Sequence, residues 1–161
     1  MSAYEFDSRP FLQIPERFNI ARAIVDRHCD AGLGGKFAAW FNDRPYTYAQ
    51  LRELSNRLGN SLRGIGVRRG DRVMLRLGTN LHTMVAILGA LKIGAVVIPS
   101  SFLFRDHEVE KILRNSDAVV AISTPQLAGP IEAVRPRTPD LKHLILTGDA
   151  SEISGALSWD R

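Results

Sequence analysis

The ten residues LKIGAVVIPS (91–100) join a helical pattern to a short apolar run that ends at a proline. The residues from Leu81 onward place apolar side chains nearly all round a helix, which is typical of a buried connection. After Gly94 comes AVVI (95–98), a continuous apolar run of the kind found in parallel strands covered on both faces. The stretch therefore predicts a crossover helix that feeds a central strand. Pro99 is expected to end that strand, because proline cannot donate the next ladder hydrogen bond.

Strand and helix patterns alternate on both sides of this stretch. Upstream, VMLRL (73–77) is a strand pattern, and Asn80 is placed to cap the helix that follows. Downstream, the sequence predicts in turn a helix, a strand, a weaker helix and a strand, at residues 105–115, 118–122, 126–134 and 143–147. This alternation predicts right-handed βαβ units. The expected fold class is α/β, with an open, mostly parallel sheet.

A small antiparallel hairpin is expected before the sheet. FAAWF (37–41) and PYTY (45–48) flank the turn-prone residues NDR (42–44). Thr47 has the chemistry to cap the next helix, which carries one apolar stripe and ends at two glycines. The stripe residues recur at steps of three and four: Leu51, Leu54, Leu58, Leu62 and Ile65.

An earlier helix is expected to begin at Asn19 and run through Cys29. Its apolar side is predicted from the spacing of Ile20, Ala23, Ile24 and Val25. Cys29 is the single cysteine, so no intramolecular disulfide can form, and a reducing compartment is expected.

Composition places the chain among ordinary soluble domains. It has 161 residues, of which 45% are hydrophobic and 24% charged, and its net charge is +4. No apolar run reaches membrane-spanning length and no secretory leader pattern is present, so a cytoplasmic protein without a membrane span is expected. Five arginines are bunched around one turn without nearby aromatic residues, which argues against a nucleic-acid partner: Arg63, Arg68, Arg69, Arg72 and Arg76.

Ligands of open α/β sheets lie beyond the carboxyl ends of the strands. This rule indicates residues 78–79, 99–104 and 123–124, of which Ser100 and Ser101 are the candidate ligand-binding residues. No histidine can be assigned as a base for either hydroxyl from spacing alone. His107, beside Glu110 on the predicted helix, fits a solvated face better than a metal site.

The order of the motifs resembles the N-terminal part of the adenylate-forming enzymes, which include the AMP-forming acyl-CoA synthetases and aryl-CoA ligases. YTYAQL (46–51) is similar to the first core motif of that superfamily and LKIGAVVIP (91–99) to the second, and GDRV (70–73) lies between them. The residues that carry the resemblance are Tyr46, Thr47, Tyr48, Leu51, Gly70, Asp71, Leu91, Lys92, Gly94 and Pro99. Their role in the family is chiefly structural.

The resemblance implies a parent enzyme that uses ATP, Mg²⁺ and CoA. A carboxylate attacks the α-phosphate of ATP to give an acyl-adenylate, and the thiol of CoA then displaces AMP. FNIARAIVDRH (18–28) and ISGALSWDR (153–161) resemble the medium-chain acyl-CoA and benzoate-type ligases, so a medium-chain fatty or aromatic acid is expected. The chain stops before the place of the family's phosphate loop, so no catalytic residue can be carried over. The chain alone is expected to be inactive.

The expected organisation is an irregular N-terminal arm (1–17), an α/β subdomain (18–149) and the start of a connection to further subdomains of a parent enzyme (150–161). Two alternatives stay open. One is a noncatalytic binding or scaffolding remnant that self-associates through exposed apolar surface. The other is a basic nucleic-acid-binding domain, favoured by charge only.

Overall fold

The computed structural model describes residues 15–151 and 153–159, so most of the predicted N-terminal arm lies outside the described residues. A π-helical turn, Arg22–Asp26, leads into α1 (Arg27–Asp30). The remaining helices are α2 (Tyr48–Gly64), α3 (Leu81–Lys92), α4 (Asp106–Ser116) and α5 (Gly129–Val134). The strands are β1 (Phe37–Phe41), β2 (Arg44–Thr47), β3 (Arg72–Arg76), β4 (Val96–Pro99), β5 (Ala118–Ser123), β6 (His143–Leu146) and β7 (Ala156–Ser158).

Five strands form one parallel sheet in the order β4-β3-β5-β6-β7, and β1 and β2 form a separate antiparallel pair. This architecture confirms the predicted α/β class. Strand β7 was not expected, because three residues of mixed polarity carry no periodic signal.

The prediction of a central, doubly covered strand at residues 95–98 is wrong. Among the described residues β4 lies at the edge of the sheet and pairs with β3 alone, while β3, β5 and β6 are the interior strands. Val96 is accordingly 48% exposed. An edge place also explains Pro99, since proline is tolerated where one side of the strand needs no ladder donor. The chain leaves β4 with the amide of Ser100 bonded to the carbonyl of Leu75 at 2.8 Å.

The sheet is covered on both faces, so side chains along β3 alternate between two cores. Val73 and Leu75 pack with α2 and α3, whereas Met74 packs with α4 and α5. Arg76 follows Met74 by two residues and therefore lies on the α4 and α5 face.

Helices α2 and α3 meet through two glycines. A Cβ atom built on Gly59 would lie 3.2 Å from the carbonyl oxygen of Gly89, and one built on Gly89 would lie 3.0 Å from the carbonyl oxygen of Ser55. The side chains of Ile93 and Leu58 lie equally near, at 3.1 and 3.0 Å, so a methyl group at either position would fit only if its neighbours moved by a few tenths of an ångström.

The hairpin and the helix after it form as predicted. Asn42 and Asp43 have φ angles of 48° and 57°, as a two-residue type I′ turn requires. The Thr47 hydroxyl accepts from the Gln50 amide at 3.2 Å, and the Gln50 side chain accepts from the Thr47 amide at 2.9 Å. This reciprocal pair is a capping box, which confirms the predicted cap.

The predicted buried side of the first helix is correct for Val25 and wrong for Ile20 and Ile24. Ala21 and Val25 are buried, whereas Ile20 and Ile24 are each about half exposed. The π-helical turn is the physical reason, because its wider turn shifts the phase on which a 3.6-residue prediction depends. The Asn19 side chain does accept from the Arg22 amide at 3.1 Å, as the predicted cap requires.

Within the described residues, no helix has the length and apolar character needed to cross a bilayer.

Candidate functional site

The sheet brings three of the predicted loops to its carboxyl edge. Leu75 of β3 pairs in register with Pro99 and with Ile122, so residues 78–79, 99–104 and 123–124 all follow strand ends that lie side by side. Ligands of open α/β sheets bind at this end of the strands.

The two candidate serines differ in accessibility. Ser100 is 8% exposed, and its buried Oγ has no hydrogen-bond partner among the described residues. The Oγ of Ser101 accepts from the amide of Leu103 at 3.1 Å, which stabilises the turn that follows β4. Ligand binding by either serine stays a prediction.

Arg76, the last residue of β3, organises this edge. The side chain is long and charged, yet the residue is only 2% exposed. Its Nε donates to the carbonyl of Leu127 at 3.0 Å and its Nη1 to that of Ser101 at 2.5 Å. Its Nη2 donates to the carbonyls of Phe102 and Phe104 at 3.0 and 2.6 Å. One guanidinium thus ties the turn after β4 to the turn after β5.

The charge of Arg76 is stabilised by carbonyl dipoles and not by an ion pair. No carboxylate lies within ion-pair distance of its guanidinium among the described residues. Burial lowers the pKa of Arg76 from its ordinary value, while the more distant carboxylates of Asp106 and Glu108 act in the opposite direction.

Sequence reasoning grouped Arg76 with the basic cluster and missed this role. β3 separates Arg76 from Arg72, so Arg76 lies at the opposite edge of the sheet from the other four arginines. The available signal was the alternation along the strand, because an arginine on the same face as Met74 must be buried or paired.

A groove of about 590 Å³ opens beside Arg76 at the carboxyl edge. We call it the strand-end groove. Its apolar lining residues are Phe102, Leu103, Phe104, Leu127 and Pro130, and its polar or charged lining residues are Arg76, Arg105, Asp106, His107 and Gln126. Apolar walls with a few charged groups are typical of small-molecule sites.

The other residues at this edge complete the backbone bonding. The Ser123 hydroxyl donates to the carbonyl of Arg76 at 3.0 Å, and the amide of Thr147 donates to the carbonyl of Ser123 at 2.9 Å. Thr83 Oγ1 hydrogen-bonds the carbonyl of Gly78 and anchors the loop after β3 to the first turn of α3.

Several of the family-motif residues lie at the amino edge of the sheet. The amide of Gly70 donates to the carbonyl of Gly94 at 2.9 Å, and a carboxylate oxygen of Asp71 accepts from the amide of Arg68 at 2.7 Å. The Nζ of Lys92 lies 2.7 Å from Asp26 Oδ1. These contacts join the turn before β3, the end of α3 and the first helix.

The first motif lies at the hairpin. The ring of Tyr48 stacks on His28 with centroids 4.3 Å apart, and Tyr46 packs edge-on against Phe41. Leu51 is buried in the small core beneath the hairpin, together with Val25. Tyr46 and Tyr48 therefore fix the hairpin to the helical layer.

A metal site is not found in residues 15–151 and 153–159, where no three histidine, cysteine or acidic side chains converge. His107 is exposed and lies 3.9 Å from Glu108, as a solvated face predicts.

Comparison with known proteins extends these observations. A family model described as "AMP-binding enzyme" matches residues 25–159. The chain is 34% identical over 141 residues to the acetyl-coenzyme A synthetase of Bacillus subtilis strain 168. The matched region is 84% of this chain and 24% of that protein. It is also 34% identical over 146 residues to the benzoate–CoA ligase of Thauera aromatica, with coverage of 90% and 28%.

A solved structure has the same fold over most of this chain. The anthranilate–CoA ligase crystallised with anthranoyl-AMP superposes with a TM-score of 0.81 at 31% identity, covering 91% of this chain and 27% of that one. The chain thus spans about a quarter of the length of the relatives it matches. With this fold, these motifs and the family match over residues 25–159, the chain belongs to the AMP-binding enzyme family.

Proposed function

We propose that this chain is the N-terminal part of an ATP-dependent, AMP-forming carboxylic acid–CoA ligase. The family match supports the proposal, together with relatives named as CoA ligases for acetate, benzoate and medium- to long-chain fatty acids. The parent joins a carboxylic acid to AMP and then to CoA. Its acid is a medium-chain fatty or aromatic one.

In this proposal the chain supplies the sheet and its carboxyl edge, and the remaining subdomains of the parent supply the catalytic groups. We expect the chain alone to have no ligase activity, because the catalytic groups come from the remaining subdomains.

The test starts from the protein in its native cell. An antibody raised against residues 46–66 is used to find the species that carries this sequence, and that species is purified and assayed for carboxylate-dependent ATP–pyrophosphate exchange. We expect a protein several times larger than 17.9 kDa that exchanges with octanoate or benzoate. A larger protein that exchanges with none of a panel of acids from acetate to palmitate would contradict the proposal.

A scaffolding remnant is the second candidate, and exposed apolar residues favour it. Ile20, Ile24, Phe37, Trp40 and Leu103 are all at least half exposed in the described chain. A native species of 17.9 kDa that sediments as an oligomer would select this candidate over the ligase.

A further inference from the structure

We propose that the first helix docks on the surface of an anionic lipid bilayer, with exposed apolar side chains among the lipid headgroups and arginines beside the lipid phosphates. This surface is called the first-helix face, and it consists of Arg17, Phe18, Ile20, Ile24, Arg27 and Arg69. The proposal goes beyond the ligase function and does not depend on it.

The first helix has an apolar row that the core does not cover. Ala21 and Val25 fill the small core beneath the hairpin. Ile20 and Ile24, about one turn apart on the neighbouring side, are 52% and 51% exposed, and Phe18 just before the helix is 51% exposed. A helix that packs on a core needs one apolar side, so the second row indicates a further contact surface.

Contacts on the other side of the helix keep this row pointing outward. The Asn19 side chain donates to the carbonyl of Leu91 at 2.7 Å, and the Nζ of Lys92 lies 2.7 Å from Asp26 Oδ1. Both contacts tie the helix to the end of α3, so the helix cannot roll to bury the exposed row without breaking them. A surface that is already fixed in its binding orientation loses little conformational entropy when it binds.

A depression of about 1030 Å³ beside the exposed row has an excess of positive charge. Its lining contains five basic side chains and three carboxylates: Arg17, Arg22, Arg27, Arg69, Lys92, Glu16, Asp26 and Asp30. Asp26 and Asp30 are already in ion pairs. Arg17, Arg27 and Arg69 make no ion pair among the described residues, so their guanidinium groups are available to an anionic partner.

The combination of apolar and basic side chains favours a bilayer over other polyanions. Large apolar side chains on one side of a helix, with arginines around them, are typical of helices that lie in the membrane interface. A nucleic acid would pair with the arginines, but its phosphate backbone offers no apolar surface to Ile20 and Ile24.

The first-helix face lies at the amino edge of the sheet. Its helix is bonded to the end of α3, ahead of β4, and Arg69 belongs to the turn ahead of β3. The strand-end groove lies at the opposite edge. Docking on a bilayer would therefore leave the carboxyl edge uncovered.

The experiment measures co-sedimentation of the 161-residue chain with lipid vesicles. One set of vesicles is phosphatidylcholine alone, and the other contains about 30% phosphatidylserine, an anionic lipid. We expect binding to the anionic vesicles to be at least about tenfold tighter, and we expect this preference to disappear in about 0.5 M sodium chloride, which screens exposed charges. No binding, or equal binding to the two sets, would overturn the proposal. Tighter binding to a mixed-sequence oligonucleotide than to the anionic vesicles, at equal phosphate concentration, would overturn it as well.

Two variants test the apolar and the charged contribution separately. Ile24→Gln removes exposed apolar area and should weaken binding to the anionic vesicles about fivefold. Arg27→Gln removes one charge and should also weaken it about fivefold. The matched controls are Phe37→Gln on the hairpin and Lys111→Gln on α4, both exposed, which should change binding less than about twofold. Equal losses in a variant and its control would refute the surface, and so would unchanged binding by Ile24→Gln.

The same assay on the native species that carries this sequence tests whether the first-helix face is open in the whole protein. We expect the same preference for anionic vesicles. Binding by the 161-residue chain without binding by the native species would overturn the proposal, because other parts of the protein would then cover the face. Ligase activity is measured separately by pyrophosphate exchange, so a failure of either proposal leaves the other standing.

Discussion

Replacing Arg76 by methionine tests how the carboxyl edge is held together. Methionine keeps an unbranched stem of similar length but removes every donor. The carbonyls of Leu127, Ser101, Phe102 and Phe104 would then lose their partner.

The expected loss in the free energy of unfolding depends on how many of the four carbonyls water can reach. Phe102 and Phe104 are exposed, so water can replace the lost bonds there. Ser101 and Leu127 are half-buried, and an unsatisfied carbonyl costs about 1–3 kcal/mol, or about 2–6 kcal/mol for the two. Removing a buried charge offsets part of this loss. We expect a net loss of about 2–3 kcal/mol in the free energy of unfolding, which a typical domain survives folded.

The assay combines urea unfolding with amide hydrogen exchange. If the destabilisation is local, the amides of Leu103 and Phe104 should exchange roughly 30- to 140-fold faster, the factor that 2–3 kcal/mol represents. Amides in the centre of β5 should change less. The control is Arg63→Met at the end of α2, an exposed arginine, where the change should stay within about 0.5 kcal/mol.

The reasoning is wrong if Arg76→Met costs less than about 1 kcal/mol, a single ordinary hydrogen bond, and leaves exchange at Leu103 and Phe104 unchanged. The four carbonyls would then be satisfied without the guanidinium.

Three further predictions concern other parts of the chain. Gly94→Ala should cost about 1–2 kcal/mol in urea unfolding, because φ is +80° there; the Cβ would also meet the Arg69 side chain, which can move aside, so a loss well above this range would show that it cannot. Thr47→Ala should cost about 1 kcal/mol by loss of the cap, Thr47→Ser should restore most of it, and equal stability of all three would contradict the cap. The amide of Ser151 donates to Asp149 at 2.8 Å and lowers the pKa of that carboxyl, so the contact is present above about pH 3.9 and is lost as pH falls through the lower folded value. An NMR pH titration of the Ser151 amide should show that midpoint below 3.9, and a midpoint at or above 3.9 would contradict the contact.

The turns, caps and apolar faces that depend on neighbouring residues were predictable from the sequence. The turn at Asn42 and Asp43, the cap at Thr47 and the stripe of α2 depend on residues within a few positions of one another. The alternation of strands and helices also predicted the parallel sheet, and the strand-end rule indicated the edge at which the groove lies.

Long-range features were not predictable in the same way. A run such as AVVI fits a central strand or an edge strand equally, because sheet order depends on partners elsewhere in the chain. The prediction that Ile20 and Ile24 are buried failed because a π-helical turn changes the phase of the helix. The role of Arg76 depends on carbonyls 25 to 51 residues away, which no local pattern reveals.

At Gly59 and Gly89 the backbones of α2 and α3 approach closely, so the two helices pack as one layer. Besides the backbone contacts, the Cβ position of Gly59 lies 3.1 Å from Ile93 Cγ2 and that of Gly89 lies 3.0 Å from Leu58 Cδ2, so side chains also fill the space between the two helices. Because this packing leaves little free space, we expect α2 and α3 to move together in any rearrangement of the sheet.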